Sequence, residues 1–161
     1  MSLPQHLQPL LDPRAYLHPV ERVELVETHI SWVLLAGAFA YKLKKPVTLP
    51  FLDYGTLDKR RAACAAELRL NRRYAAALYL DVVELAGEPA VKMHRFDEAG
   101  RLDHVAARGE LTAAQLSGLA RSVAEFHAAA ASAPAASPFG EPAQVLAAAL
   151  ENFDELDRLL P

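Results

Sequence analysis

Residues 23–47, VELVETHISWVLLAGAFAYKLKKPV, decide the fold. Val23, Leu25, Leu34 and their neighbours alternate or run apolar, and β-branched and aromatic side chains are dense, as strands require. Thr28–Ser31 and Ala36-Gly37 punctuate the run. The pattern predicts strands at 22–27, 32–36 and 39–46, the last ended by Pro46, folded as a three-stranded antiparallel meander.

Downstream, Thr56 has the chemistry of an N-cap and Asp58 complements the helix dipole, while arginines gather towards the other end. No glycine or proline interrupts Leu57 to Leu78, which predicts a helix over 57–74. Residues 78–85 and 90–96 read as two further strands, joined by a Gly87-Glu88-Pro89 turn. The first half is therefore βββαββ, an α+β fold with a five-stranded antiparallel sheet and one long helix. A brief helix is expected at Pro4–Leu11, among the four prolines of residues 2–19.

After Glu98-Ala99-Gly100 alanine dominates and β-branched residues become scarce. Leu116, Leu119, Val123 and Phe126 recur at helical spacing in a helix near 112–131. An Ala/Ser/Pro-rich loop, Ser132–Pro142, precedes a helix near 143–159 that carries Leu146, Leu150, Phe153 and Leu156 on one side. The expected division is 1–97 for the sheet domain and 98–161 for the helices.

Composition limits the function classes. The chain has 161 residues, 52% of them apolar and 23% charged, enough for a folded core. No apolar run is long enough to span a bilayer, and the N-terminus lacks the basic start of a signal peptide. Cys64 is the single cysteine, so no intrachain disulfide forms and a small core role is expected. Together these predict a soluble, cytoplasmic protein without membrane contact. The net charge of −3 conceals a segregation: nine of 17 Lys/Arg but only three acids lie between Lys42 and Arg73. Such a basic excess attracts phosphate. The scarcity of aromatics there argues against nucleic acid, which needs rings for its bases to stack on.

The familiar hydrolytic and metal motifs are missing: no Walker A, G-x-G-x-x-G, H-E-x-x-H or G-x-S-x-G string occurs. The six histidines are scattered without i,i+4 pairs. Two features carry chemistry instead. Alternation puts Ala40, Lys42 and Lys44 on one face of the third strand, so that a small residue leaves room for a flat ligand beside an ammonium. Any strand can carry an exposed lysine, and this alternative stands. Glu67 is the one acid in the interior of the arginine-rich helix. It reads either as half of an intrahelical bridge or as the mate of a distant cation. The i±4 positions, Ala63 and Asn71, offer no charge, which favours the distant cation.

The strings Glu27–Val33, Phe39–Val47, Phe51–Tyr54 and Glu67–Arg73, in this order, resemble the N-terminal part of bacterial aminoglycoside-phosphotransferase-like proteins, which have a kinase-like fold. There the region is often followed by a P-loop, gluconokinase-like ATPase domain. The resemblance runs from about Leu10 to the end of the chain. It implies a kinase-like N-lobe and a nucleotide cleft for ATP with Mg²⁺. Lys42 is then expected on the α/β-phosphates with Glu67 orienting it, and Ala40 beside the base. Thr28 and Ser31 fall in the turn above the phosphates, and Met93 in the hinge segment that runs to Phe96. Phosphoryl transfer also needs a carboxylate at the acceptor and another on Mg²⁺. No His-Gly-Asp string supplies them here, so no catalytic or metal-binding residue is assigned. The expectation is a truncated, nucleotide-binding member without catalysis of its own. An alternative from a different class is an interaction module that forms homo-oligomers through the apolar faces of its C-terminal helices.

Overall fold

The computed structural model describes residues 3–134, 137 and 140–160. The chain divides into two compact units, Met1–Leu111 and Thr112–Pro161. In the first, strands β1 (Val23–Glu27), β2 (Ser31–Ala36) and β3 (Phe39–Lys44) form the expected meander. A short hairpin of β4 (Thr48–Leu49) and β5 (Leu52–Asp53) follows, then helix α1 (Leu57–Ala75) and strands β6 (Tyr79–Leu85) and β7 (Glu88–His94). The main sheet has the order β1-β2-β3-β7-β6 and is antiparallel throughout. The fold class is thus α+β, five strands with one helix packed on them, followed by C-terminal helices.

The two faces of the sheet differ in chemistry. On one, Trp32, Leu34, Ala36, Tyr41, Leu43 and Ala90 meet Leu3, Leu7, Leu10 and Tyr16 of the N-terminal segment. That segment contains a 3-10 helix, Gln5–Leu11, which buries Leu7 and Leu10 in the core. Each fully buried leucine contributes roughly 2 kcal/mol. Tyr16 donates its hydroxyl to the Leu10 carbonyl (2.8 Å), which closes the segment on itself. The opposite face lies under α1. There Cys64 is fully buried, with its Sγ 3.6 Å from the Pro89 carbonyl, the core role its alanine-rich setting predicts.

Several element ends differ from the sequence reading. The turn before β7 is Ala86-Gly87, both at positive φ (50° and 81°), so Glu88 and Pro89 belong to the strand rather than to the turn. Pro89 pairs with Glu84 but lies beyond the last β3–β7 pair, Leu43↔Ala90, where its missing N–H costs little. Strand β3 ends at Lys44; the Lys45 N–H still bonds the Ile30 carbonyl in register (2.9 Å), and Pro46 follows. Strand β7 ends at His94, one step before the Arg95 N–H that still bonds the Ala38 carbonyl in register (2.9 Å). The β4–β5 hairpin is too short for periodicity to mark.

After β7 a 3-10 turn, Glu98–Gly100, leads into α2 (Leu102–Ala107), which the sequence pattern does not reveal. In the second unit, α3 (Ala113–Ala129) opens with a capping box. The Gln115 N–H donates to Thr112 Oγ1 (3.2 Å), and the Thr112 N–H donates to Gln115 Oε1 (2.8 Å). Helix α4 spans Pro142–Leu159, with proline at its first turn. The expected loop Ser132–Pro142 lies partly outside the described residues. Neither helix has a buried residue, and their apolar stripes, Phe153 among them, are exposed. No helix among the described residues is long and apolar enough to cross a membrane.

Candidate functional site

Helix α1 starts where Thr56 Oγ1 accepts the Lys59 N–H (3.3 Å), and this cap sets which side chains face the sheet. Arg60, Cys64 and Glu67 fall on that side, at spacings of four and three residues. From the sheet, Lys42 and Lys44 project towards the same helix. Lys42 stands between Val33 and Val91 in the ladder, and Lys44 opposite Ser31.

The three charges meet. Lys42 Nζ donates to Glu67 Oε1 (2.9 Å) and Lys44 Nζ donates to Glu67 Oε2. Glu67 therefore has a partner from another element, not one on its own helix. Burial pushes the Glu67 carboxyl up, but the hydrogen bonds from Lys44 and then Lys42 outweigh it and hold the group below the ordinary carboxylate range. Two ammonium groups on one carboxylate leave a single positive charge in excess. Lys42 carries that excess outward, since its side chain is 30% exposed against 3% for Lys44. Nearby, burial pushes up both the Cys64 thiol and the Tyr79 hydroxyl, the latter also through the charge of Glu67.

Beside Lys42 on the same sheet face lies an apolar slot of about 170 Å³, lined by Val26, Val33, Leu35, Ala40, Met93 and Phe96 among others. Ala40 is the reason the slot exists: it faces Leu35 on one side and Met93 on the other, and its methyl leaves the space open. The structure thus brings together Ala40, Met93, Lys42 and Glu67 of the sequence-based set. Thr28 and Ser31 sit in the β1–β2 turn, engaged differently from a phosphate contact. Thr28 Oγ1 accepts the Ser31 N–H (2.9 Å) and donates to the Ser31 carbonyl (3.1 Å). Ser31 itself is fully buried, its Oγ without a hydrogen-bond partner among the described residues. The turn is held by Lys45, which donates to Glu27 Oε1 (2.6 Å) and the Thr28 carbonyl (2.5 Å) and lies over the Trp32 ring.

Sequence reasoning missed the part played by Lys44 at Glu67, although its parity with Lys42 was legible. It also missed Tyr54, whose ring lies 5.4 Å from Lys44 Nζ. Among the described residues no group of three or more His, Cys, Asp or Glu is placed to hold a metal ion.

The chain is 36% identical over 128 aligned residues to the uncharacterized proteins Rv2004c and MT2060 of Mycobacterium tuberculosis and Mb2027c of Mycobacterium bovis. The match covers 74% of this chain and 26% of each relative. The chain is thus homologous to part of these proteins and spans about a quarter of their length. No family model and no solved structure matches it.

Proposed function

We propose that the sheet and α1 form the nucleotide-binding lobe of an ATP-dependent phosphotransferase of the aminoglycoside-phosphotransferase-like kind. The observation that carries this reading is the Lys42–Glu67 ion pair on the sheet face that also carries the apolar slot, with Val33, opposite Lys42, in the slot's lining. A purine fits the chemistry of the slot, flat and apolar over Ala40 and Met93. The triphosphate then extends towards the surplus charge of Lys42, where an ammonium oriented by a carboxylate is worth more than a freely waving one. ATP thus fits the residues present. For Mg²⁺, no group of three or more His, Cys, Asp or Glu is placed among the described residues, and no step is assigned to it here. The chain's own part is to bind and orient. Binding of ATP without turnover is the behaviour expected of these 161 residues, because transfer needs a carboxylate at the acceptor hydroxyl.

Calorimetric titration of the chain with ATP tests the reading. The expected result is saturable binding, weakened about tenfold or more by Lys42→Met, which removes a charge-assisted contact to phosphate. Absence of binding by the unaltered chain refutes it.

A second reading is favoured by the apolar side chains of α3 and α4 that face solvent, Leu116, Leu119, Leu146 and Phe153. It makes these helices a self-association surface. Light scattering across a concentration series distinguishes the two, a constant monomer mass ruling out the second.

A further inference from the structure

Glu67 has two cations but needs only one to remain ionised, and the two are not equivalent. Lys42 bonds Oε1 from a partly exposed position beside the slot, so it is the one that can turn towards an arriving anion. Lys44 bonds Oε2 from a side chain that is almost wholly buried. The ring of Tyr54, in the segment between β5 and α1, lies against its ammonium. Leaving that place exposes a desolvated charge to nothing better, so Lys44 stays.

The asymmetry matters when a ligand binds. When Lys42 also engages phosphate, its charge is shared with the ligand and Glu67 keeps only part of that mate. Glu67 is 13% exposed, and a carboxylate so buried without a cation either takes up a proton or pulls away towards water. Either change moves α1 relative to β3 within the sheet unit. With Lys44 in place, neither is required.

We propose that Lys44 is a positioning residue of the phosphate site: it keeps Glu67 seated between α1 and β3 while Lys42 turns to an anionic ligand. The proposal deepens the nucleotide reading and rests on it. Lys44 does not touch the nucleotide, and its effect reaches the phosphates only through Glu67 and Lys42. The groups facing Glu67 are few: Lys42 and Lys44 from β3, Cys64 from its own helix and Tyr79 from β6. A change in its titration can therefore be assigned.

The test uses the full chain in two measurements. In the first, the Glu67 carboxyl is titrated by NMR without ligand. In Lys42→Met it is expected to remain below the ordinary carboxylate range, held by Lys44 alone, whereas in Lys44→Met it rises above its value in the unaltered chain. In the second, ATP and adenosine are titrated separately. Lys44→Met is expected to weaken ATP about tenfold and leave adenosine unchanged, and Lys44→Arg to restore most of the loss. A purely structural defect lowers both ligands together. Unaltered ATP affinity in Lys44→Met, or a Glu67 that titrates normally in Lys42→Met, overturns the proposal. If the unaltered chain binds no ATP, the nucleotide reading itself fails. The carboxyl titration is independent of ligand and separates the two failures. If Lys44→Met does not fold, Lys42→Met alone decides, since it removes only the more exposed lysine.

Discussion

Arg60 on α1 and Glu88 at the start of β7 form a two-pronged ion pair, Nε to Oε2 at 2.7 Å and Nη2 to Oε1 at 2.6 Å. The third guanidinium nitrogen, Nη1, donates to the Tyr54 carbonyl (3.1 Å). The helix, the last strand and the segment that covers Lys44 are thereby joined at one buried side chain. Such a pair adds little net stability over an apolar contact, but removing one member strands the other. Arg60→Met is therefore expected to lower unfolding stability by about 3 kcal/mol, and Arg60→Met with Glu88→Leu by much less than the two single losses summed. Urea unfolding followed by the fluorescence of buried Trp32, the single tryptophan, measures both.

The Glu67 carboxyl gives the protein a defined acid response. Its folded value lies below its unfolded one, so the stability it contributes is fully present above the unfolded value, near pH 4.5. That contribution disappears as pH falls through the lower, folded value. Glu67→Gln is expected to be less stable at pH 7, by roughly 2–3 kcal/mol, because Lys44 loses its counter-charge. Its stability should also fall less steeply below pH 4.5 than that of the unaltered chain. Unfolding midpoints between pH 7 and pH 3 provide the comparison, and parallel curves refute it.

The strands and α1 were legible because each follows from a period, whereas Lys42 as the mate of Glu67 was implied by the resemblance. Alternation at two residues assigned Lys42 to a face, and the uncharged i±4 positions, Ala63 and Asn71, left Glu67 without a cation in reach on its own helix. Elements without a period escaped, the β4–β5 hairpin and α2 among them. The helix expected at Pro4–Leu11 is present as Gln5–Leu11, but its pattern did not show that Leu7 and Leu10 enter the core. Lys44 lay in view on the same face, but nothing in a sequence tells which of two lysines is buried. That depends on Tyr54, brought over it by a hairpin of two-residue strands. Glu88 and Pro89 were misread as turn residues because proline after glycine is a turn signal. The backbone makes the turn one step earlier by forcing Ala86 to positive φ.

That turn suggests a stabilising change. Ala86 is the one non-glycine residue at positive φ among those described (50°), a conformation that costs an alanine about 1 kcal/mol. Asparagine tolerates it far better, and Asn-Gly is the preferred pair for a two-residue hairpin. Ala86→Asn is expected to raise unfolding stability by about 0.5–1 kcal/mol without altering ligand binding. A raised urea midpoint at unchanged slope is the confirming result.

The slot itself is open to a size test. Ala40 stands between Leu35 and Met93, and a larger apolar side chain there projects into the space assigned to the purine. Ala40→Leu keeps the backbone propensity and leaves Lys42, Lys44 and Glu67 untouched. The added carbons have room because the slot is open, so the unfolding midpoint should stay close to that of the unaltered chain. Affinity for both ATP and adenosine should fall together, by about tenfold, since the base and not the phosphates is displaced. This is the opposite signature to that of Lys44→Met, which separates the two ligands. Equal affinity in Ala40→Leu and the unaltered chain means the base lies elsewhere, even if ATP binds.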